Sequence, residues 1–229
     1  MADDLDELKR RVERIRGQLL NALGAYDAYV ELVRFTAPNV VGAERAQRNA
    51  QALGMYKGFM MVARNALHTE MQLPLARIFD SHKDALQLRK LINWISRHRE
   101  NLTSSEVENA ADSDEPAHIP EGLTQNDLDE ILAKLAAAGD KISRLKDVRD
   151  KVLAHDDKVG PDGVEWLSYD DFAELLNLLD EILNTISRKA YGETTIYDWY
   201  RDDVKKDSQR LFELIAGEYD RIQNRRDQL

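Results

Sequence analysis

The chain has 229 residues, of which 43% are hydrophobic and 32% charged, and it carries a formal net charge of −10 with no cysteine. Without cysteine the chain forms no disulfide and no thiolate metal site. No apolar run approaches the ~20 residues that a membrane-spanning helix needs. The acidic N-terminus lacks the basic-then-apolar order of a signal peptide. These features predict a cytoplasmic protein with no membrane partner.

Apolar residues recur every three or four positions along most of the chain, and no strand-like alternation of any length is present. This pattern predicts an all-α protein, an antiparallel bundle of about six to seven helices that forms one domain over residues 1–229. The predicted helices lie at about 3–36, 40–73, 85–100, Thr124 to near His155, Ser168 to Gly192, and 200–224.

Prolines and capping residues mark the predicted helix boundaries. Pro38 is expected to end the first helix, and Pro74 is expected to kink or break the second. Asp84, Thr124 and Ser168 are side chains that can cap the helices that follow them. Residues 101–122 are rich in Asn, Ser, Asp and Glu and predict a long acidic loop, which exceeds the usual length of a connection.

The negative charge is concentrated in one part of the chain. Residues 101–130 contain nine acidic residues and no Lys or Arg, and the remainder of the chain is nearly neutral. Residues 82–99 contain only one acidic residue, Asp84, and five basic residues: Lys83, Arg89, Lys90, Arg97 and Arg99. Such a cluster is usually a solvated helix face, and a track for phosphates is the alternative. The overall acidity is therefore a weak argument against a polyanionic substrate.

A charged segment closes the predicted helix after Thr124, with the sequence K-D-V-R-D-K-V-L-A-H-D-D-K over residues 146–158. A helix buried in a core does not need Arg149, Asp150 and His155 so close together. Three nearby lysines can hold phosphate groups: Lys146, Lys151 and Lys158. We therefore take Arg149, Asp150 and His155 as candidate catalytic residues.

Spacing alone does not single out this segment, because Arg77 and His82 form a second Arg–His pair with four residues between them. The neighbouring residues distinguish the two pairs. Arg149 is followed by Asp150, which can position the Arg or the His, whereas Arg77 is followed by Ile78, an apolar position of its helix. This context favours the Arg149 segment.

The residue types suit cleavage of RNA, whose own 2′-OH can attack the neighbouring phosphate. A histidine such as His155, with a pKa near ~6.5, can take or give a proton at neutral pH. Arg149 stays charged and can bind two phosphate oxygens as negative charge builds. This chemistry needs neither a metal nor a cofactor, and we predict none.

Helix geometry adds a constraint on Arg149 and His155. Six residues of α-helix rise ~9 Å and turn through about 600°, so the two side chains do not share a face. They can converge if the helix ends or distorts before His155, or if a second chain contributes to the site. A symmetric homodimer, with two motifs facing each other across the axis, fits this requirement.

The segment R-D-K-V-L-A-H-D-D-K resembles the motif of the HEPN superfamily, an Arg, a polar residue, several more positions and a His at the end of a core helix. The nearest branch is the AbiU-like HEPN proteins of bacterial abortive infection, a form of phage defence. The segment L-A-R-I-F-D at residues 75–80 also resembles that branch.

The resemblance implies a metal-independent endoribonuclease with a HEPN-like fold, often a toxin with an antitoxin partner and usually a homodimer. By position, Arg149 and His155 match the motif pair and Asp150 the polar residue that follows the Arg. Arg77 and Asp80 correspond to supporting residues that bind substrate.

Two other interpretations remain open. His155, Asp156 and Asp157 could join Asp150 in a divalent-metal cluster, although their spacing is not a strong ligand pattern. The chain could instead be a catalytically inactive helical scaffold or regulatory module that binds a protein partner or RNA. That reading explains the acidity and the long apolar stripes, but it leaves Arg149 and His155 without a role.

Overall fold

A computed structural model describes residues 2–80, 88–102, 120–150 and 165–228, and it contains no strand within these ranges. The described residues form nine α-helices and one short 3₁₀ helix, so the predicted all-α fold is confirmed. The helices are α1 (Ala2–Phe35), α2 (Pro38–Val41), α3 (Ala43–Gly54), α4 (Lys57–Phe79), α5 (Leu88–His98), the 3₁₀ helix (Arg99–Asn101), α6 (Gln125–Ala137), α7 (Gly139–Val148), α8 (Tyr169–Tyr191) and α9 (Asp198–Arg226).

The chain divides into two compact units, each made of two separate stretches. The first comprises Met1–Leu20 and Gln72–Ile196, and the second Asn21–Met71 and Tyr197–Leu229. Helices α1 and α4 each begin in one unit and end in the other. The organisation of residues 1–229 as one domain stays a prediction.

The first unit is built on apolar stripes with helical spacing. In α1, Leu8, Val12, Ile15 and Leu19 recur at intervals of three or four and are almost fully buried. Buried residues of the same kind come from α4 to α8: Leu75, Ile78, Leu91, Ile95, Leu128, Ile131, Leu145, Leu175, Leu179 and Ile186. Burial of this apolar surface is the main driving force for the unit, and it fixes the ends of α4 and α7.

Capping boxes start two helices of the first unit. The Thr124 hydroxyl accepts a hydrogen bond from the backbone N–H of Asp127, whose carboxylate accepts one from the Thr124 N–H. Ser168 and Asp171 make the same exchange at α8. The predicted caps Thr124 and Ser168 are therefore confirmed, and they satisfy backbone donors that a helix N-terminus leaves free.

The second unit has its own apolar cluster, formed by Leu32, Phe35, Ala52, Leu53, Phe212 and Ala216. Ion pairs join its elements. Asp27 of α1 accepts two hydrogen bonds from Arg201 of α9, and Arg48 of α3 donates to Asp220 of α9. The buried Asn49 amide donates to the Phe35 carbonyl, which α1 leaves unpaired at its C-terminus.

Several predicted boundaries differ from the structure. The helix expected at 40–73 is two helices, because the chain turns at residues 55–56 between α3 and α4. Pro74 does not break α4, which continues to Phe79. The residues that follow Pro74, including Leu75 and Ile78, are buried, and their packing holds this last turn in place despite the missing N–H.

The helix predicted to run from Thr124 to near His155 is interrupted at Ala138, which separates α6 from α7. Because of these breaks and the four-residue α2, the described part of the chain holds more helices than the six to seven predicted. His82, Asp84 and most of the 101–122 loop lie outside the described residues. Every helix within the described ranges is too short or too polar to span a lipid bilayer.

Candidate functional site

Arg149 lies at the end of α7, where the helix changes its hydrogen bonding. The buried Leu145 and Val148 anchor the last turn of α7. At Arg149 and Asp150 the backbone passes from α-helical into π-helical turns. Such turns are rare and often occur at functional sites. His155 lies outside the described residues, so its position relative to Arg149 stays a prediction.

Arg149 is held between two carboxylates. Its Nη1 donates to Oδ2 of Asp80 at 2.5 Å, and its Nε donates to Oδ1 of Asp150 at 2.7 Å. The side chains of Arg149 and Asp80 are only 18% and 15% exposed, whereas Asp150 is 57% exposed. The hydrogen bond to Asp150, and then that to Asp80, raises the pKa of Arg149 against the opposing effect of burial. The guanidinium is therefore always charged.

The position of Asp80 follows from the packing of α4. The buried Ile78 and Phe79 fix the final turn of that helix, and Asp80 is the first residue beyond it. The pair with Arg149 thus ties the end of α4 to the end of α7 across 69 residues of sequence. Removal of one member would leave the charge of the other partly buried with fewer hydrogen bonds, which costs more than the loss of an exposed ion pair.

A pocket of about 220 Å³ is formed by α4, α5, α6 and α7, and its lining includes the residue before Asp80 and the residue three positions before Arg149. Phe79 and Leu88 line it from α4 and α5, and Ile142 and Lys146 line it from α7. Arg89 of α5 adds a second cation to the lining. The pocket therefore combines apolar walls with two positive charges.

The structure brings some of the predicted site residues together. Arg149, Asp150 and Asp80 form one cluster, and Lys146 lines the pocket next to it. Arg77 is exposed on the last turn of α4 and forms no ion pair with another described residue. Three predicted site residues, namely Lys151, His155 and Lys158, lie outside the described residues, so their roles stay predictions.

The pocket was missed from the sequence, and so was Arg89 as one of its lining residues. A signal for its α7 wall was present, because Gly139, Ile142, Lys146 and Arg149 follow one another at intervals of three and four. Such residues lie on one side of a helix. The contribution of α5 depends on tertiary packing, which a single sequence does not reveal.

The described residues contain no group of three or more His, Asp or Glu side chains placed to hold a metal ion. This statement does not extend to the alternative cluster of Asp150, His155, Asp156 and Asp157, of which only Asp150 is described. Asp150 itself is bonded to Arg149.

The motif, the helical fold and the cluster at Asp80 can be compared with known families. The family model HEPN_AbiU2, described as AbiU2, matches residues 5–211, which is most of the chain. The chain belongs to the AbiU2 family of HEPN proteins. The match includes both stretches on which the AbiU-like resemblance was based, and it confirms that resemblance. No curated protein and no solved structure matches this AbiU2-family chain.

Proposed function

We propose that this AbiU2-family protein is a metal-independent endoribonuclease that acts in the cytoplasm as the toxin of a phage-defence or toxin–antitoxin system. The observation that carries the proposal is the guanidinium of Arg149, oriented by Asp80 at a π-helical turn within the HEPN-like motif. The family name associates such proteins with abortive infection. RNA is the substrate, and an antitoxin protein is the expected regulatory partner.

When RNA binds, the scissile phosphate replaces one of the two carboxylates that are bonded to Arg149. Asp150 is the more exposed of its two partners and gives way to the phosphate, whereas the more buried Asp80 keeps its hydrogen bond and holds the guanidinium in place. A planar guanidinium presents paired donors that match two phosphate oxygens. Charge that builds on the phosphate is then stabilised without a metal.

His155 moves the protons. The 2′-oxygen of the RNA forms a bond to phosphorus as its proton passes to a base, and the bond from phosphorus to the 5′-oxygen breaks as that oxygen receives a proton. A neutral imidazole serves the first step and an imidazolium the second. In a homodimer, His155 of one protomer and His155 of its partner take the two roles across a composite cleft.

Four cationic side chains extend the contact to the RNA backbone: Lys146, Lys151, Lys158 and Arg77. They offset the negative charge of Asp80 and Asp150, which would otherwise repel a phosphate as it approaches Arg149. Because their contribution is electrostatic, RNA binding is expected to weaken steeply as the salt concentration rises.

The deciding experiment measures RNA cleavage in excess EDTA by the wild type, Arg149→Ala and His155→Ala. The matched controls are Arg97→Ala and His98→Ala, which remove the same residue types from α5. We expect cleavage that survives EDTA, is lost in the first two variants and persists in both controls. Loss of wild-type cleavage in EDTA would support the metal cluster instead, and cleavage retained by Arg149→Ala and His155→Ala would disprove the proposal.

A second candidate function, a catalytically inactive scaffold or regulatory module, is supported by apolar surface on α4. Phe59, Met61 and Val62 are each more than half exposed in the first half of this helix. Exposed apolar side chains in such a group are typical of a protein-binding surface. Under this alternative the wild type cleaves no RNA, and Phe59→Ser alters association with a partner while Arg149→Ala does not.

A further inference from the structure

The pocket beside Arg149 has no part in the cleavage chemistry described above. We propose that it binds one base of the RNA next to the scissile phosphate, and that it thereby sets the nucleotide preference of the cut. The inference rests on the proposed ribonuclease function, because that function places an RNA phosphate at Arg149.

The first support is the register of α7. Gly139, Ile142 and Lys146 line the pocket, and Arg149 follows Lys146 by three residues. Residues three or four apart lie on the same side of a helix, so the face of α7 that forms the pocket leads directly to the guanidinium. On the opposite wall, Phe79 immediately precedes Asp80. A nucleotide whose phosphate contacts Arg149 therefore has this pocket within reach of its base.

The second support is the chemistry of the lining. Ile142 and the largely buried Phe79 and Leu88 supply an apolar lining, which suits the apolar face of a base. Arg89 and Lys146 supply positive charge for the phosphates on either side of it, and no carboxylate is found among the described lining residues. This combination complements a nucleotide, which is apolar on its base and anionic on its phosphate.

The third support is the volume of the pocket. The volume of about 220 Å³ is smaller than the ~300–1,000 Å³ common for sites that enclose drug-sized ligands. A space of this size suits one base rather than two stacked bases. Recognition of one unstacked base is also how proteins usually read the sequence of single-stranded RNA.

A second concave surface among the described residues of the first unit does not share this complementarity. The groove between α6 and α8 is lined by Lys134 and Lys141, but these lysines are paired with Glu181 and Glu174 in the same lining. Its cations are thus already neutralised, and its carboxylates would repel RNA. The pocket between α4 and α7 is the one we assign to a base.

The test begins with binding, which does not depend on cleavage. AMP, GMP, CMP and UMP are titrated at low salt into the wild type, Ser143→Phe and Arg89→Ala. Ser143 lines the pocket and is exposed, so a phenylalanine there occupies the space of the base. The matched controls on α5, outside the pocket lining, are Ser96→Phe and Arg97→Ala. Thermal unfolding of each variant verifies its fold.

We expect at least one nucleotide to bind the wild type and both controls equally, and to bind Ser143→Phe and Arg89→Ala at least about tenfold more weakly. Cut sites mapped on a mixed-sequence RNA are expected to show a base preference that Ser143→Phe loses and Ser96→Phe keeps. Equal nucleotide affinity in all five proteins, no nucleotide binding at millimolar concentration, or an unchanged cut-site preference in Ser143→Phe would each overturn the inference.

The two proposals can fail separately. If the wild type binds a nucleotide in this pocket but cleaves no RNA in any condition, the ribonuclease proposal is wrong and the nucleotide site stands. If cleavage depends on Arg149 while Ser143→Phe leaves both nucleotide affinity and cut-site preference unchanged, the ribonuclease proposal stands and the pocket assignment is wrong.

Discussion

Asp80 and Arg149 form a hydrogen-bonded ion pair of 2.5 Å between the end of α4 and the end of α7. Both side chains are largely buried. The pair links the two short segments on which the family resemblance was based, and it gives Asp80 a physical role as the residue that orients the guanidinium of Arg149.

We expect Asp80→Ala to lower the single-turnover rate of RNA cleavage by about ten- to hundredfold, because a guanidinium displaced by ~1 Å loses its alignment with the phosphate. Asp80→Asn retains an oxygen acceptor and should recover part of the rate. The control is Asp140→Ala, an exposed carboxylate at the start of the same α7. Equal rates in Asp80→Ala and Asp140→Ala would show that Asp80 does not position Arg149.

Asp150→Asn should strengthen the binding of RNA. The substitution removes a negative charge that competes with phosphate for Arg149, so we expect the affinity for RNA to rise by roughly two- to fivefold at low salt, the scale of an exposed ion pair. The measurement is RNA affinity by fluorescence anisotropy in Asp150→Asn and in the control Asp147→Asn, and an unchanged affinity would contradict the exchange mechanism.

The carboxylate in the α8 capping box makes the stability of the fold depend on pH. The hydrogen bond from the Ser168 backbone, followed by those from the Ser168 hydroxyl and Lys141, lowers the pKa of Asp171 to about 2. A carboxylate whose pKa is lower in the folded state contributes stability above its unfolded pKa of ~3.8 and loses it as the pH falls toward 2. We expect Asp171→Asn to lower the melting temperature at pH 6 and the difference from the wild type to shrink between pH 4 and pH 2. A difference independent of pH would refute the role of this carboxylate.

In the second unit, Arg201→Ala should be strongly destabilising. Asp27 is 2% exposed and accepts hydrogen bonds of 2.7 and 3.0 Å from Nε and Nη2 of Arg201. An unpaired buried carboxylate costs about 3–5 kcal/mol, and Lys205, 3.8 Å away, recovers a part of this. Urea unfolding of Arg201→Ala and of Arg210→Ala, whose partner Asp207 is exposed, measures the difference. Similar midpoints for the two variants would contradict this assignment.

Much of the fold was predictable because the responsible forces are local. The apolar spacing of α1 from Leu5 to Val33 predicted a single long helix, and the structure gives Ala2–Phe35. The Thr124 and Ser168 caps were predictable because a hydroxyl followed three residues later by a carboxylate favours this box in any context. Gly192 ends α8 with a φ of 77°, as a glycine in that position predicts.

The rest was not predictable because tertiary packing decides it. Pro74 disfavours a helix locally, yet buried neighbours carry α4 through it to Phe79. The pairing of Asp80 with Arg149 joins residues distant in sequence, and neither residue indicates the other. The same applies to Arg89, which an ordinary basic helix face would equally explain, and which lies in the pocket lining because of how α5 packs.

The division of α1 and α4 between the two units has a practical consequence for genetics. Each unit is assembled from two stretches that are far apart in sequence. An N-terminal truncation that extends past Leu20, or a C-terminal truncation that extends past Tyr197, therefore removes a piece of both units, and a deletion that removes all of one unit must also cut α1 and α4 in the middle. Loss of activity in such a truncated protein would then reflect damage to both units, so single substitutions are needed to map the residues responsible.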